Sequence, residues 1–250
     1  MRAIIIGAGR GRRLMPTTEN APKCFAEVQG VSILDWILRA FREGGIDDVC
    51  FVGGYRIDAV RERYPSFTFR ENSRWQENNI LDSLLCAEDL MDEPFICSYC
   101  DTLFTGDAVG KLVRSESDIA LNVDTDWVEH YRYRTQHPPH DAEKVTVADG
   151  VVTRVHRNIE AADAYGEFTG LARFSSKGAQ LFREHYHRCR RAFAGKAFRE
   201  AAVFEMAYLI HLLQEMIEAG VEMAHADTPG HYREIDTQED LDLAQRIWGT

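Results

Sequence analysis

The 250-residue sequence has no long apolar run and no excess of basic residues. No stretch approaches the roughly 20 consecutive apolar residues of a membrane-spanning helix, and Met1 and Arg2 lead directly into a predicted strand instead of a leader peptide. The net charge of −11 argues against a general nucleic-acid binder, because such proteins present basic surfaces. We therefore expect a cytoplasmic protein with neither membrane insertion nor a nucleic-acid partner.

Two common nucleotide-binding patterns are also missing. The Gly-x-x-x-x-Gly-Lys-Ser/Thr spacing of P-loop kinases and ATPases does not occur. The second predicted strand, residues 49–52, is followed by Gly53 and Gly54, where a dinucleotide-binding fold places an acidic residue for the ribose. These absences argue against kinase, ATPase and dehydrogenase functions.

A second cysteine pair that could complete a zinc site is missing as well. The six cysteines include one C-x-x-C spacing, from Cys97 to Cys100, and it lies at a predicted strand. With no second pair and no leader peptide, we expect reduced thiols without a metal or redox role.

Short apolar segments alternate with amphipathic segments in the first half of the chain. The predicted strands are residues 3–6, 49–52, 67–69, Phe95–Tyr99 and 119–123. Ser32 and the Gly44-Gly45 pair bound the first predicted helix. This alternation predicts an α/β fold with a Rossmann-like, doubly wound and mostly parallel (mixed) sheet.

The pattern changes in the second half of the chain. Residues 144–147 and Val151–His156, joined by an Asp-Gly turn, predict a β-hairpin, and one long helix is predicted over residues 202–219. Thr237 with Asp240 predicts the capped start of the last helix. The hairpin is expected to form a small acceptor-side subregion at one end of the sheet.

The chain is expected to form a single domain, because it has no repeats and no evident linker. We assign residues 1–125 to a nucleotide-binding half and residues 126–250 to a half that binds the acceptor and completes a metal site.

The loop after the first strand combines glycines with cations: Gly7, Gly9 and Gly11 with Arg10, Arg12, Arg13 and, ten residues later, Lys23. Glycines let backbone N–H groups approach an anion closely, and a phosphate is the anion that such loops bind. A tight turn with solvated arginines is the alternative. On a protein of net negative charge, this local cluster of cations favours a bound anion.

Three carboxylates occur where predicted strands end, and ligands of open α/β sheets bind at that edge. Asp101 follows the strand Phe95–Tyr99, and Glu234 and Asp236 share one face of a late strand because strand side chains alternate. Magnesium prefers such oxygen ligands. We therefore predict Asp101, Asp236 and Glu234 as Mg²⁺ ligands, with a solvated acidic face as the alternative.

The loop sequence GAGRGRRL, followed by Pro22 and Lys23, resembles the signature loop of the sugar-phosphate and choline-phosphate nucleotidyltransferases. Arg12 stands where that family usually has threonine or serine. The resemblance continues through NNILDSLLCA, YCDTLF, GEFTGLARFS and YREIDTQEDLDLA, and so covers nearly the whole chain. The NNILDSLLCA segment looks like the branch that contains the bacterial CTP:phosphocholine and phosphonate cytidylyltransferases.

The resemblance implies a Mg²⁺-dependent enzyme that transfers CMP from CTP to a small phosphate- or phosphonate-bearing acceptor and releases pyrophosphate. It implies catalytic roles for Lys23 at the α-phosphate and Arg13 at the leaving pyrophosphate. The implied nucleotide-binding residues are Ala8, Gly9, Gly11, Arg12, Asn78, Asn79 and Ser83. It also implies a role in making a cell-surface precursor.

The acceptor site is predicted from residues of the second half. Trp127 offers an aromatic face for an ammonium group, Lys144 a partner for the acceptor phosphate, and Glu167 a partner for an amine or hydroxyl. Phosphocholine, an aminoalkyl phosphonate or a phosphorylated amino-acid derivative fits these residues. Ordinary loop packing is the alternative for Trp127, and a homodimer remains open.

Three other functions stay in view. A sugar-1-phosphate nucleotidyltransferase keeps the same fold and mechanism with a different acceptor. A non-catalytic nucleotide-sensing domain keeps the fold without turnover, although Lys23, Asp101 and Asp236 together argue against it. An NAD-binding oxidoreductase is the most distant alternative.

Overall fold

The structure is a computed structural model that describes residues 1–249. The strands are β1 (Arg2–Gly7), β2 (Glu27–Val28), β3 (Val31–Ser32), β4 (Val49–Gly53), β5 (Thr68–Glu71), β6 (Phe95–Tyr99), β7 (Thr102–Phe104), β8 (Ile119–Asp124), β9 (Lys144–Ala148), β10 (Val151–His156), β11 (Gly166–Phe174), β12 (Ala224–Asp227) and β13 (Tyr232–Glu234). The α-helices are α1 (Ile33–Glu43), α2 (Ile57–Arg63), α3 (Ile80–Leu85), α4 (Gly106–Val113), α5 (Trp127–Tyr131), α6 (Ser176–Phe193), α7 (Leu209–Glu218) and α8 (Gln238–Ile247).

The central sheet has the strand order β5-β4-β1-β6-β11-β8-β12-β10-β9. β5, β4, β1 and β6 run parallel, as do β8 and β12, whereas β11 runs antiparallel between β6 and β8. The first two residues of β11, Gly166 and Glu167, also pair with β9. The carboxyl ends of the parallel strands and the start of β11 therefore meet at one edge, which we call the upper edge.

Helices cover both faces of this sheet. Ile4 and Ile6 of β1 pack in the core that includes α3, α6 and α7, whereas Ala3 and Ile5 pack in the core that includes α1, α4 and α8. A parallel strand buried on both faces is apolar throughout, which explains the continuous apolar sequence of β1. The α/β, Rossmann-like mixed sheet predicted from the sequence is confirmed.

Several predicted element boundaries are also confirmed. Ser32 caps α1, where its hydroxyl accepts a hydrogen bond from the Asp35 N–H at 3.2 Å. The predicted β-hairpin forms as β9 and β10, and Thr237 and Asp240 form the capping box of α8. These features depend on residues close in sequence, so a local pattern is enough to predict them.

The long helix predicted over residues 202–219 is wrong in its first half. Phe204–Met206 forms a 3₁₀ turn, Ala207 is extended, and α7 begins only after Tyr208. The carbonyl oxygen of Glu205 accepts a hydrogen bond from the Asn79 N–H at 2.9 Å, and that bond fastens this segment to the start of α3. A tertiary contact therefore overrides the helical spacing of the apolar residues.

The short strand β7 was not predicted, and it decides where the acidic residues lie. It pairs antiparallel with β13, with Thr102 opposite Glu234, and the Ile235 N–H donates to the Asp101 carbonyl at 2.8 Å. This ribbon brings the two carboxylate segments together across more than 130 intervening residues.

None of the helices in residues 1–249 combines the length and apolar character that a membrane span needs.

Candidate active site

A cleft of about 590 Å³ opens at the upper edge of the sheet. The predicted site residues that line it are Ala8, Gly9, Gly11, Arg12, Arg13, Lys23, Asn78, Asn79, Ser83, Asp101, Glu167, Glu234 and Asp236. The cleft therefore joins the loop after β1, the start of α3, the β7–β13 ribbon and the start of β11. Trp127 and Lys144 are the predicted residues that do not line it.

The glycines of the loop after β1 have distinct steric roles. A Cβ atom on Gly7 would lie 2.5 Å from the Phe51 ring, and Gly11 has a φ of +67° with the Lys23 side chain 3.0 Å from its hypothetical Cβ. Gly9, by contrast, has no heavy atom within 4 Å of that position. Gly7 and Gly11 thus permit the tight path of the loop, whereas Gly9 leaves backbone open to the cleft.

Lys23 joins two of the predicted metal ligands. Its side chain is only 7% exposed, and its Nζ donates to Asp101 Oδ2 at 2.7 Å and to Asp236 Oδ1. Burial disfavours the charged ammonium, but the two carboxylates outweigh burial and raise the pKa of Lys23 above its ordinary value. The lysine is therefore a fixed positive charge inside the cleft.

Arg13 completes this cluster from the loop side. Its Nη2 atom lies 2.5 Å from Asp236 Oδ2, while most of its side chain remains exposed. Burial opposes ionisation of Asp236, but Lys23 and Arg13 together lower its pKa. Asp236 consequently carries a negative charge at neutral pH and positions both cations.

A group of three side chains could hold a divalent cation. Donor atoms of His137, Glu234 and Asp236 lie within 4.8 Å of one another. Burial, and secondarily the nearby Asp236, raises the pKa of Glu234 to about 7. The two carboxylates supply the oxygen ligands that divalent cations take, and the imidazole can add a nitrogen ligand, so the donor set fits a divalent metal.

His137 was missed by the sequence analysis, as was its neighbour Arg134. His137 is 3% exposed, and Arg134 donates through Nε to Asp240 Oδ1 at 2.7 Å and approaches Glu234 Oε2 at 3.4 Å. Both residues come from the segment after α5, about one hundred positions before their partners. No local motif marks them, since the contact depends on tertiary structure.

The predicted nucleotide contacts on α3 are held by a network of amides. Asn79 caps the helix by accepting from the Ile80 N–H at 2.8 Å. Asn72, which the sequence analysis did not single out, donates to Asn78 Oδ1 at 2.7 Å and to Ser83 Oγ at 2.9 Å. The network fixes the two asparagines and the serine before any ligand arrives.

The start of β11 forms the far wall of the cleft. Glu167 is 3% exposed; its Oε1 accepts from the Tyr131 hydroxyl at 2.7 Å, and its Oε2 has no hydrogen-bond partner within residues 1–249. Burial, and secondarily the charge of Glu234, raises the pKa of Glu167 to about 8. The second oxygen of this carboxyl therefore lacks the partner that its burial requires.

Trp127 and Lys144 lie behind that wall. Trp127 is buried and packs edge-on against Tyr131 with ring centroids 5.7 Å apart. Lys144 Nζ donates to the carbonyl oxygens of Pro139, His140 and Ala142 at 3.2–3.4 Å. Because its N–H groups donate to backbone carbonyls, Lys144 does not reach the cleft. The buried indole of Trp127 does not reach the cleft either.

The whole arrangement suits the transfer of a phosphate-containing group. Open backbone, Arg12 and Arg13 can bind a polyphosphate, and Lys23 supplies a buried charge near the carboxylates. Within residues 1–249, we find no cysteine, serine or histidine arranged as a covalent nucleophile with its base in the cleft.

Comparison with known proteins agrees with this geometry. Residues 3–164 match the MobA-like NTP transferase domain. The chain is 29% identical over 253 aligned positions to the CTP:phosphoglutamine cytidylyltransferase of Campylobacter jejuni, an alignment that covers 97% of this chain and 98% of that protein. It is 26% identical over 185 positions to the choline-phosphate cytidylyltransferase of Streptococcus pneumoniae, covering 68% and 80% of the two chains.

A solved structure shows the same fold. The inositol-1-phosphate CTP transferase from T. maritima superposes with a TM-score of 0.73 and 22% identity, over 100% of this chain and 97% of that one.

Proposed function

Because this chain belongs to the MobA-like NTP transferase family, we propose that it is a cytidylyltransferase that transfers CMP from CTP to a small phosphorylated or phosphonate acceptor. It is a nucleotidyltransferase, and the products of the proposed reaction are pyrophosphate and a CMP-acceptor anhydride, in which a new P–O–P bond replaces the broken bond between the α- and β-phosphates of CTP. Cytidine as the base is supported by the relatives from Campylobacter jejuni and Streptococcus pneumoniae, which are named for CTP and for cytidylyl transfer.

The observation that carries the proposal is the buried Lys23 between Asp101 and Asp236, at the end of a loop with open backbone. In the proposed reaction, an oxygen of the acceptor attacks the α-phosphorus in line while pyrophosphate leaves. Lys23 stabilises the charge that develops at the α-phosphate, and Arg13 that of the leaving pyrophosphate. The protein supplies position and charge and forms no covalent bond to the substrate.

The nucleotide is proposed to lie along the loop and the start of α3. Backbone of Ala8, Gly9 and Gly11, together with the Arg12 side chain, would hold the phosphates. Asn78, Asn79 and Ser83 would hold the nucleoside. Asn72 already orients the side chains of Asn78 and Ser83, and the cap of α3 orients that of Asn79.

Enzymes of this family generally use a divalent metal, and we propose Mg²⁺ held by Asp101, Asp236 and Glu234. The bound metal would neutralise phosphate charge. Asp101 and Asp236 share one ammonium in this structure, so their oxygens already converge. His137 lies against Glu234 and Asp236 and would orient both carboxylates.

The acceptor is proposed to lie at the far wall, against Glu167. Trp127 and Lys144, which the sequence analysis assigned to acceptor binding, would act from behind that wall by supporting Tyr131 and the turn at residues 139–142. A sugar 1-phosphate remains the alternative acceptor, with the same fold and mechanism.

The test is pyrophosphate release with Mg²⁺, each nucleoside triphosphate in turn, and a panel of amine-bearing phosphates, phosphonates and sugar 1-phosphates. We expect release with CTP and an amine-bearing acceptor. Lys23→Met should lower kcat by about 10²–10³-fold, as loss of a preorganised charge does elsewhere. Lys177→Met is the matched control, because Lys177 is exposed at the opposite edge of the sheet.

A sugar 1-phosphate as sole acceptor would overturn the acceptor assignment but keep the fold and mechanism. Unchanged turnover in Lys23→Met would refute the assignment of the site. CTP binding without release for any acceptor would favour the nucleotide-sensing alternative.

A further inference from the structure

Beside Glu167, the far wall of the cleft carries polar groups that the proposed transfer leaves unassigned. We call it the headgroup pocket and define it by Tyr99, Glu143, Arg157, Glu167, Phe168 and Tyr208, all of which line the cleft. Lys144 of β9 pairs with both Glu167 of β11 and His156 of β10, so Glu143, Arg157 and Glu167 all lie at the upper edge of the sheet. Glu143 and Arg157 lie on the face of Tyr99 and Tyr208, whereas Glu167 lies on the face of Tyr131, and the cleft reaches both.

Glu167 is the hydrogen-bond acceptor of this pocket. Its side chain is almost wholly buried, and only one of its two oxygens has a partner among the described residues. A buried carboxylate oxygen without a donor is costly, and a ligand N–H would supply one. A quaternary ammonium has no N–H to donate, so Glu167 favours a primary ammonium.

Arg157 is the donor of the pocket. Its Nη2 donates to Glu143 Oε1 at 3.1 Å, and its guanidinium lies 4.1 Å from the Tyr208 ring centroid. The other Glu143 oxygen accepts from the Tyr99 hydroxyl at 3.1 Å, so Glu143 has a partner at each oxygen. Arg157 offers five N–H donors, and its Nε lacks a partner within the described chain.

These two observations specify complementary halves of one ligand. An acceptor that carries only an ammonium would satisfy Glu167 and leave the spare donors of Arg157 unused. An acceptor that carries an ammonium and a carboxylate on the same carbon satisfies both residues and adds no net charge to the pocket. The planar guanidinium, fixed by Glu143 and Tyr208, is suited to a carboxylate.

On the basis of the proposed function, we propose that the headgroup pocket recognises an α-amino acid that bears the phosphate or phosphonate on its side chain. Glu167 binds the ammonium group of this acceptor, and Arg157 binds its carboxylate. The phosphate or phosphonate then extends from the pocket toward Lys23 and Asp236, which line the same cleft.

Matched acceptors that differ by one carboxylate test this proposal. The pairs are 2-amino-3-phosphonopropionate with 2-aminoethylphosphonate, 2-amino-4-phosphonobutyrate with 3-aminopropylphosphonate, and 2-amino-5-phosphonopentanoate with 4-aminobutylphosphonate. Each pair keeps the spacing from nitrogen to phosphorus. For at least one chain length, we expect kcat/KM to be about 10- to 100-fold higher for the amino acid, as a hydrogen-bonded charged group contributes.

Binding is measured in parallel by calorimetry, with the α,β-methylene analogue of CTP and Mg²⁺ present. This measurement does not depend on turnover, so it separates the two proposals. Absence of transfer with every acceptor would refute the proposed function, while the ratio of Kd values within each pair would still decide the headgroup assignment.

Variants assign the preference to residues. Arg157→Met should bring the ratio of the kcat/KM values within each pair close to one. Arg154→Met should leave it unchanged, because Arg154 is an exposed arginine of β10, the strand that ends just before Arg157. Because Arg157→Met leaves Glu143 buried without its cation, the double variant Glu143→Gln/Arg157→Met serves if the single variant unfolds. Glu167→Gln should lower kcat/KM by the same factor for both members of each pair.

Two results would overturn the proposal. A kcat/KM ratio near one for all three pairs in the unmodified enzyme would show that no carboxylate is recognised. If Arg157→Met lowered kcat/KM equally for both members of each pair, Arg157 would hold the phosphorus-bearing group instead of the carboxylate.

Discussion

Lys23 owes its role to its neighbours more than to its own chemistry. An isolated lysine this deeply buried would lose its proton, because burial disfavours the charged form. Asp101 and Asp236 reverse that tendency and keep the ammonium charged. The same contacts hold both carboxylates in place, so one residue contributes positive charge and geometry together.

Glu167 predicts how stability responds to pH. Its pKa is about 8 in the folded chain, against an ordinary value of 4.5, because burial disfavours the carboxylate. A carboxyl group whose pKa is raised on folding contributes stability that is fully present below its ordinary pKa. This contribution is lost as the pH rises through the folded pKa, by at most about 1.4 kcal/mol per pH unit. We expect Glu167→Gln to gain stability relative to the unmodified protein from pH 5 to pH 8.

Urea denaturation at several pH values, without ligands, measures this difference. Glu160→Gln is the control, because Glu160 is exposed in the loop just before β11. A difference between Glu167→Gln and the unmodified protein that stays flat across the window would contradict a raised pKa for Glu167.

At the scale of elements, helix α8 links stability to the site. Its capping residue Thr237 follows Asp236 directly, and Asp240 Oδ2 accepts from the N–H groups of Asp236 and Thr237 at 3.0 and 2.8 Å. Asp240 also accepts from Arg134, and these bonds lower its pKa against the opposing effect of burial. The helix start therefore fixes the backbone of Asp236, a carboxylate that lines the cleft.

Removing this cap should affect stability and turnover together. Thr237→Ala should cost about 1 kcal/mol of unfolding free energy, the usual value for a lost N-cap, and should lower kcat by loosening Asp236. Ser175→Ala is the matched control, because Ser175 caps α6 at the opposite edge of the sheet. It should cost similar stability with kcat unchanged.

Denaturant unfolding and steady-state kinetics on both variants give the result. If both variants lost turnover to the same extent, the loss would follow global stability, and the specific link from α8 to Asp236 would be refuted.

At the scale of the whole molecule, the two predicted halves share one sheet. β11, from the second half, lies between β6 and β8 of the first, and β12 pairs with β8. The cleft likewise takes Lys23 from one half and Asp236 from the other. The binding roles assigned to residues 1–125 and 126–250 remain predictions, but neither half encloses the cleft alone.

This continuity predicts a single cooperative unfolding transition. Scanning calorimetry should give one peak with equal calorimetric and van't Hoff enthalpies. A fragment of residues 1–125 should fail to fold, because β6 and β8 would expose the edges that β11 covers. Two resolved transitions, or a folded fragment, would show that the halves are independent units.

The sequence by itself determined the local features of this protein. The apolar β1, the caps at Ser32 and Thr237 and the β9–β10 hairpin depend on residues within a few positions of one another, so their pattern predicts them. The glycines and cations of the first loop, and carboxylates at strand ends, likewise indicated a phosphate site with a metal.

Only the tertiary structure decided which distant side chains meet. His137 and Arg134 join Glu234, and Arg157 joins Glu143, through contacts that no local period encodes. The same long-range packing carries Lys144 onto backbone carbonyls and ends the predicted helix before Tyr208. Periodicity fixes the face on which a side chain lies, whereas its partners depend on the pairing of strands far apart in the chain.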